Sequence, residues 1–156
     1  MANPVILCDA MLGGLARWLR AAGYEAQFIY GIDDRTLIQQ AQKKEAIILS
    51  SDGKLFERNI IKDGSVKALF VPRDMTKHEQ LAFVMKKLNL PVLPIPRCMA
   101  CGGELIEIPK DQLKGLVPPK AYAAFDRFWR CECCGKVFWQ GTHWQKISKV
   151  LSALQR

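Results

Sequence analysis

The sequence predicts an α/β fold, a mostly parallel sheet covered by helices, followed by a small second unit beyond residue 96. Three observations predict it. Short apolar runs of strand length alternate with segments of helical period from Val5 to Leu88. Three prolines then fall within Pro91-Val92-Leu93-Pro94-Ile95-Pro96. Past them stand two cysteine pairs, Cys98-Met99-Ala100-Cys101-Gly102 and Cys131-Glu132-Cys133-Cys134-Gly135. Strand–helix alternation at this spacing implies right-handed crossovers and parallel pairing.

Each element has its own justification. Val5 to Cys8 reads as a short buried strand closed by Asp9. Met11, Leu12, Leu15, Trp18, Leu19 and Ala22 then share one helical arc, with Arg17 and Arg20 opposite and Gly23 as the stop. Ala26 to Tyr30 is a second strand, and Thr36 to Lys44 a helix led by Asp33 and Asp34. Ala46 to Ser50 is continuously apolar to Leu49, which predicts a central strand covered on both faces. A short helix from Leu55 to Ile61, a strand from Val66 to Val71 and a helix opened by the capping box Thr76-x-x-Glu79 complete the alternation. Prolines at 91, 94 and 96 suit an extended linker, so the expected division is a domain at 1–90, a linker at 91–96 and a second domain at 97–156.

Composition narrows the class. Of 156 residues 49% are apolar, enough for a buried core. No apolar run approaches the ~20 residues of a membrane span, so no membrane partner is expected. The start Met1-Ala2-Asn3-Pro4 lacks the basic flank and apolar stretch of a secretory signal. Together with metal-spaced cysteines this predicts a reducing, cytoplasmic location. The net charge is +8; residues 97–156 hold ten basic against five acidic residues, and residues 1–96 thirteen against ten. That balance suits a polyanion such as nucleic acid, although solubility alone would account for much of it.

The cysteine pairs predict a structural zinc site. Two residues between cysteines let a tight turn aim both sulfurs at one ion, and the glycine after each pair takes a backbone angle that side chains disfavour. Cys98, Cys101, Cys131 and Cys134 are the expected ligands, because Cys133 has neither a partner at that spacing nor a following glycine. Cys8, inside an apolar strand, is expected to be core.

Four acidic positions follow the predicted strands: Asp9, Asp33 or Asp34, Asp52 and Asp74. In an open parallel sheet the loops at the carboxyl ends of the strands form the usual site. Carboxylates gathered there repel one another unless a hard divalent ion, Mg²⁺ or Mn²⁺, neutralises them. Such an ion can polarise a phosphodiester and lower the pKa of an attacking water. Aspartate before a helix also serves as an N-cap, which is open to Asp9, Asp52 and one of Asp33 and Asp34. Other chemistries lack their residues. Met11 stands where an aspartyl phosphatase would carry a second aspartate, Gly13-Gly14 fits no nucleotide fingerprint, and no serine lies in a nucleophile elbow. His78 and His143 have no metal or catalytic spacing; His78 reads as a surface helix residue.

Cys8-Asp9-Ala10-Met11-Leu12-Gly13-Gly14-Leu15-Ala16-Arg17-Trp18-Leu19-Arg20 resembles the opening signature of the Mut-seven C-terminal RNase domain, a branch of the PIN-like nucleases. The resemblance continues through Leu49-Ser50-Ser51-Asp52, Arg97-Cys98 to Cys101, Phe128-Trp129-Arg130-Cys131 and Gly141-Thr142-His143-Trp144, and so spans nearly the whole chain. It implies a PIN-like α/β domain fused to a zinc ribbon, with divalent-metal-dependent cleavage of RNA. Asp9 and Asp52 match the family's first and third acidic positions, Asp34 is the choice for the second, and Asp74 stands at the variable fourth.

In the second unit Phe128, Trp129, Phe138, Trp139 and Trp144 interleave with Arg127, Arg130, Lys136 and Lys146. Rings stack unpaired bases while cations meet phosphates, so Arg130, Trp139 and Trp144 are candidate contacts to single-stranded RNA. Some of these rings must also cover the small zinc core. Arg17 and Lys54 are candidate backbone contacts in the first unit. Two other readings compete with a ribonuclease: a non-catalytic RNA- or ribosome-binding adaptor, and a protein-interaction module.

Overall fold

The computed structural model describes residues 3–154. Met1, Ala2, Gln155 and Arg156, the ends of the expected domains, lie outside the described residues. Four parallel strands, β1 (Ile6–Cys8), β2 (Ala26–Phe28), β3 (Ile47–Ser50) and β4 (Ala68–Phe70), pair in the order β2-β1-β3-β4. The parallel α/β sheet expected from the alternation is therefore present. β1 and β3 are the inner pair, with Cys8 opposite Leu49. Helices α1 (Gly13–Ala21), α2 (Asp34–Lys44), α3 (Asn59–Lys62) and α4 (Lys77–Lys87) connect or follow the strands. Residues 53–57 form a 3-10 turn ahead of α3.

Side chains alternate across a strand, and the two faces of the sheet are covered accordingly. Ile6 and Cys8 join Leu15 and Leu19 of α1 and Leu81 and Val84 of α4 in one core. Leu7 and Ile48 join Leu37, Ile38 and Ala41 of α2, with Leu55, in the other. Asp33 caps α2 and Thr76 caps α4, each accepting the backbone N–H three residues on.

The second unit is an antiparallel sheet of β5 (Leu105–Ile108), β6 (Phe128–Cys131) and β7 (Val137–Phe138). A 3-10 turn at 110–113 and helix α5 (Pro119–Ala124) fill the long interval between the cysteine pairs. The last helix, α6 (Thr142–Leu154), returns to the first core, where Ile147 and Leu151 are buried with Leu15 and Leu81. The proline segment is laid along the end of α1. Leu93 N–H donates to Ala22 O, Arg97 N–H to Arg20 O, and Tyr24 Oη to Pro91 O.

Three expectations are corrected, and Arg20 adds a finding of its own. Met11 lies in a turn before α1 and is 57% exposed, because the chain must first fold back over Asp9. Arg20 is only 6% exposed. Its helical phase does point it away from the first core, but the second unit covers that side, and its guanidinium donates to Ala26 O at 2.7 Å and Met99 O at 3.0 Å. The single helix expected at 55–61 is broken at Arg58, whose backbone is extended. β2 also ends two residues early, leaving Ile29 and Tyr30 exposed.

Candidate active site and metal centre

The order β2-β1-β3-β4 makes the chain depart from β1 to one side and arrive at β3 on the other. The gap beyond the carboxyl ends of β1 and β3 is thus the topological switch point, where ligands of open α/β sheets bind. Asp9 follows β1 and Asp52 follows β3. Asp9 Oδ2 accepts the Ser50 hydroxyl at 2.5 Å and Ser51 N–H at 3.0 Å, and Oδ1 accepts Met11 N–H at 2.9 Å. Ser50 Oγ in turn accepts Asp52 N–H at 3.0 Å. One buried hydroxyl therefore links the two aspartates. Asp52 Oδ1 caps the 3-10 turn by accepting Lys54 N–H at 3.0 Å, which leaves Oδ2 without a protein hydrogen bond among the described residues.

The other two acidic candidates stand apart. Asp33 is the cap of α2, and the Thr36 N–H that it accepts at 2.7 Å holds its carboxyl below the usual range. Asp34, in the first turn of that helix, has no side-chain hydrogen bond among the described residues. It follows β2 at one edge of the sheet, whereas Asp74 follows β4 at the opposite edge. Three strand spacings separate those strand ends by about 14 Å. Among the described residues, no group of three or more His, Asp or Glu side chains lies close enough to share one ion; the only such group is made of cysteines.

Two cations beside the switch point escaped sequence reasoning. Arg73 Nε donates to Ser51 O at 3.2 Å, so its guanidinium reaches from the β4 loop back toward Asp52. The Lys77 side chain lies on Gly14, its Nζ 2.9 Å from where a β-carbon would stand, at the start of the helix that follows Asp9. Neither has a sequence signal, because each comes from the segment after β4, which is distant in sequence and adjacent only through strand pairing. Of the expected backbone contacts, Lys54 stands two residues after Asp52 in the 3-10 turn, while Arg17 sits one turn further along α1 and faces the second unit.

Cys8 is buried, and burial above all pushes its thiol to about 12, which makes it a core residue. The other expected cysteines converge. Cys98 and Cys101 precede β5, and Cys131 and Cys134 bracket the turn between β6 and β7. Their four sulfurs lie within 4.8 Å of one another, with Cys98 to Cys134 at 3.7 Å and Cys101 to Cys131 at 3.4 Å. Tetrahedral Zn–S bonds of about 2.3 Å place sulfurs about 3.8 Å apart, so the four fit Zn²⁺. A disulfide would need about 2.05 Å.

Gly102 and Gly135 take φ of +83° and +78°, the left-handed angle expected after each pair. A β-carbon on Gly103 would stand 2.7 Å from Cys131 Sγ, so only glycine lets the two turns close on one another. Without metal, burial pushes the Cys98 thiol to about 12. Burial also raises Cys131, but the N–H groups of Cys134 and Cys133 and the Cys101 thiol outweigh it and bring Cys131 down to about 6. Cys133 is exposed and outside the group.

The aromatic candidates divide between core and cleft. Phe128 is fully buried with Leu113 and Val117, and Trp139 packs against that cluster. Trp144 packs partly on the first core. Trp139, Trp144 and Arg17 also line a cleft between the small sheet and helices α1 and α6. Arg130 is exposed and is not among the residues that line it.

A family model described as the Mut7-C RNAse domain matches residues 4–151. The human protein named exonuclease mut-7 homolog is 28% identical over 116 residues, which are 72% of this chain and 13% of that protein. The chain thus spans about an eighth of that relative's length. No solved structure matches it. No helix among the described residues is long and apolar enough to cross a membrane.

Proposed function

The chain belongs to the Mut7-C RNAse domain family, and from that premise we propose that it is a divalent-metal-dependent ribonuclease acting on single-stranded RNA. The observation that carries the reading is the Asp9–Ser50–Asp52 linkage at the switch point of the parallel sheet. Hard carboxylate oxygens suit Mg²⁺ or Mn²⁺, and Mg²⁺ needs only one or two carboxylates because it keeps several waters. Asp9 and Asp52 would hold the ion, with Asp34 and Asp74 reaching it only through water or substrate. A bound divalent ion there supplies charge neutralisation at the phosphodiester and a lower pKa for the attacking water.

The remaining work falls to the protein's own groups. Ser50 and Ser51 orient the Asp9 carboxylate by donating to its Oδ2. Arg73, Lys77 and Lys54 offer positive charge to phosphates on either side of the scissile bond. In this reading residues 1–90 carry the reaction, while the zinc ribbon of residues 97–156 helps hold RNA. A four-thiolate zinc site suits a reducing compartment such as the cytoplasm.

The test uses purified, zinc-loaded protein and an end-labelled single-stranded RNA. Adding Mn²⁺ should start cleavage, and Asp9→Asn should abolish it with zinc still bound. Equal rates for Asp9→Asn and wild type would falsify the assignment. One observation favours a second reading, a non-catalytic RNA-binding adaptor: no three carboxylates converge among the described residues. That reading predicts RNA affinity indifferent to Mg²⁺ and to Asp52→Asn, with no cleavage.

A further inference from the structure

We propose that the cleft between the small sheet and helices α1 and α6 is a base-stacking channel for single-stranded RNA, with Trp129 and Phe138 as its platform. The proposal rests on the ribonuclease reading above and names the surface that guides substrate toward it. Side chains of β6 alternate between faces. Phe128 enters the ribbon core, so Trp129 lies on the opposite face, with Phe138 as its neighbour on β7 and Glu107 on β5. The ribbon core uses Phe128, Val137 and Trp139 and takes in neither Trp129 nor Phe138. These two half-buried rings instead line a cleft of about 560 Å³, within the range of roughly 300–1,000 Å³ typical of ligand clefts.

Charge selects the occupant. The one carboxylate lining the cleft among the described residues, Glu107, is taken by Arg127 through two hydrogen bonds of 2.9 Å, and that guanidinium also stacks 5.1 Å from the Trp129 ring. Arg17 and Lys136 line the same cleft and form no ion pair among the described residues. Flat rings beside uncompensated cations match a polyanion that exposes ring faces, which an unpaired RNA strand does and a duplex does not. One lining residue, Arg17, ties the cleft to the helix that follows Asp9. Arg17 lies one turn, about 6 Å, along α1 from Gly13, and α1 begins at the turn that Asp9 closes. Lys77, on Gly14, continues the cationic track.

The experiment measures binding without cleavage. Zinc-loaded wild-type protein, with no divalent ion added, is titrated into a fluorescein-labelled twelve-nucleotide single-stranded RNA, and anisotropy is followed at several salt concentrations. Trp129→Ala and Phe138→Ala should each weaken binding roughly tenfold, the order of one lost base stack, while Trp129→Phe keeps most of the affinity. Lys136→Gln, at an exposed position, should lower the salt slope by about one, and it carries the test should Trp129→Ala lose zinc or fold.

The same RNA as a duplex should compete poorly. Unchanged affinity in Trp129→Ala together with an unchanged salt slope in Lys136→Gln overturns the proposal, as does tighter binding of duplex. Tighter binding of the matching DNA strand overturns the assignment to RNA, and salt-insensitive capture of a protein with no RNA binding overturns both. Cleavage is assayed on the same preparations. If none cuts RNA but Trp129→Ala loses binding, the channel stands and the ribonuclease reading falls; if wild type cuts and Trp129→Ala binds unchanged, the reverse holds.

Discussion

The Ser50 hydroxyl donates to Asp9 Oδ2 across 2.5 Å and accepts the Asp52 N–H at 3.0 Å, so one side chain of β3 orients the aspartates that close two adjacent strands. Ser50→Ala removes that link without touching either carboxylate. Groups that orient metal-binding side chains typically matter 10–100-fold, so RNA cleavage should fall by about that factor with zinc content unchanged. The half-buried Asp52 N–H would also lose its partner, lowering stability by about 1 kcal/mol in denaturant titrations. A Ser50→Ala enzyme as fast as wild type would show that Asp9 needs no such orientation.

Asp34 and Asp74 differ in kind from Asp9 and Asp52, because they follow the two edge strands rather than the inner pair. Asp52→Asn should therefore abolish Mn²⁺-dependent cleavage, whereas Asp34→Asn and Asp74→Asn should each leave measurable activity. Metal titrations separate the cases. The edge variants should be partly rescued by raising Mn²⁺, and Asp52→Asn should not.

Cysteine reactivity should sort the six thiols into three classes. In the zinc-loaded protein at pH 8 a thiol reagent should modify exposed Cys133 quickly and the four clustered cysteines slowly. A strong chelator should then release those four. Cys8 should react only on unfolding. Its thiol is pushed up to about 12, so between pH 7 and 9 it stays protonated in the fold and becomes reactive only when unfolding restores its ordinary value. Mass spectrometry of the labelled positions checks the order, and rapid native labelling of Cys8 would contradict its burial.

Arg20→Met should loosen the joint between the two units. Arg20 bonds the carbonyls of Ala26 and Met99, and its own carbonyl accepts Arg97 N–H beside the first cysteine pair. Burial lowers its pKa somewhat, while the nearby Cys101, Cys8 and Cys98 thiols favour its charge. One buried and one half-buried carbonyl losing this donor should cost about 2 kcal/mol. Zinc should also leave faster, since a positive charge that balances the thiolates is lost. Unchanged unfolding and zinc release would place that role elsewhere.

Much of this molecule was legible residue by residue. Ile47 to Leu49 read as a central strand because continuous apolar character admits no solvent face, and β3 does lie inside the sheet. The cysteine spacing singled out Cys98, Cys101, Cys131 and Cys134 and left Cys133 aside, because ligand turns are local and so are their glycines. The burial of Arg20 was not legible, for the opposite reason. Helical period reports which side faces the first core, but not that a second unit covers the remaining side. Arg73 and Lys77 were missed because their contacts with Ser51 and Gly14 arise from strand order, which no local pattern encodes.

The sequence by itself determined the alternation of strands and helices, the four cysteines that cluster and the acidic residues that end the strands, all properties of spacing within a few residues. Tertiary structure alone decided which aspartates are neighbours, since the order β2-β1-β3-β4 joins Asp9 to Asp52 through Ser50 and sends Asp34 and Asp74 to opposite edges. It also decided which rings are core and which are free. Phe128 and Trp129 are adjacent in sequence, yet strand alternation buries the first and turns the second toward the cleft.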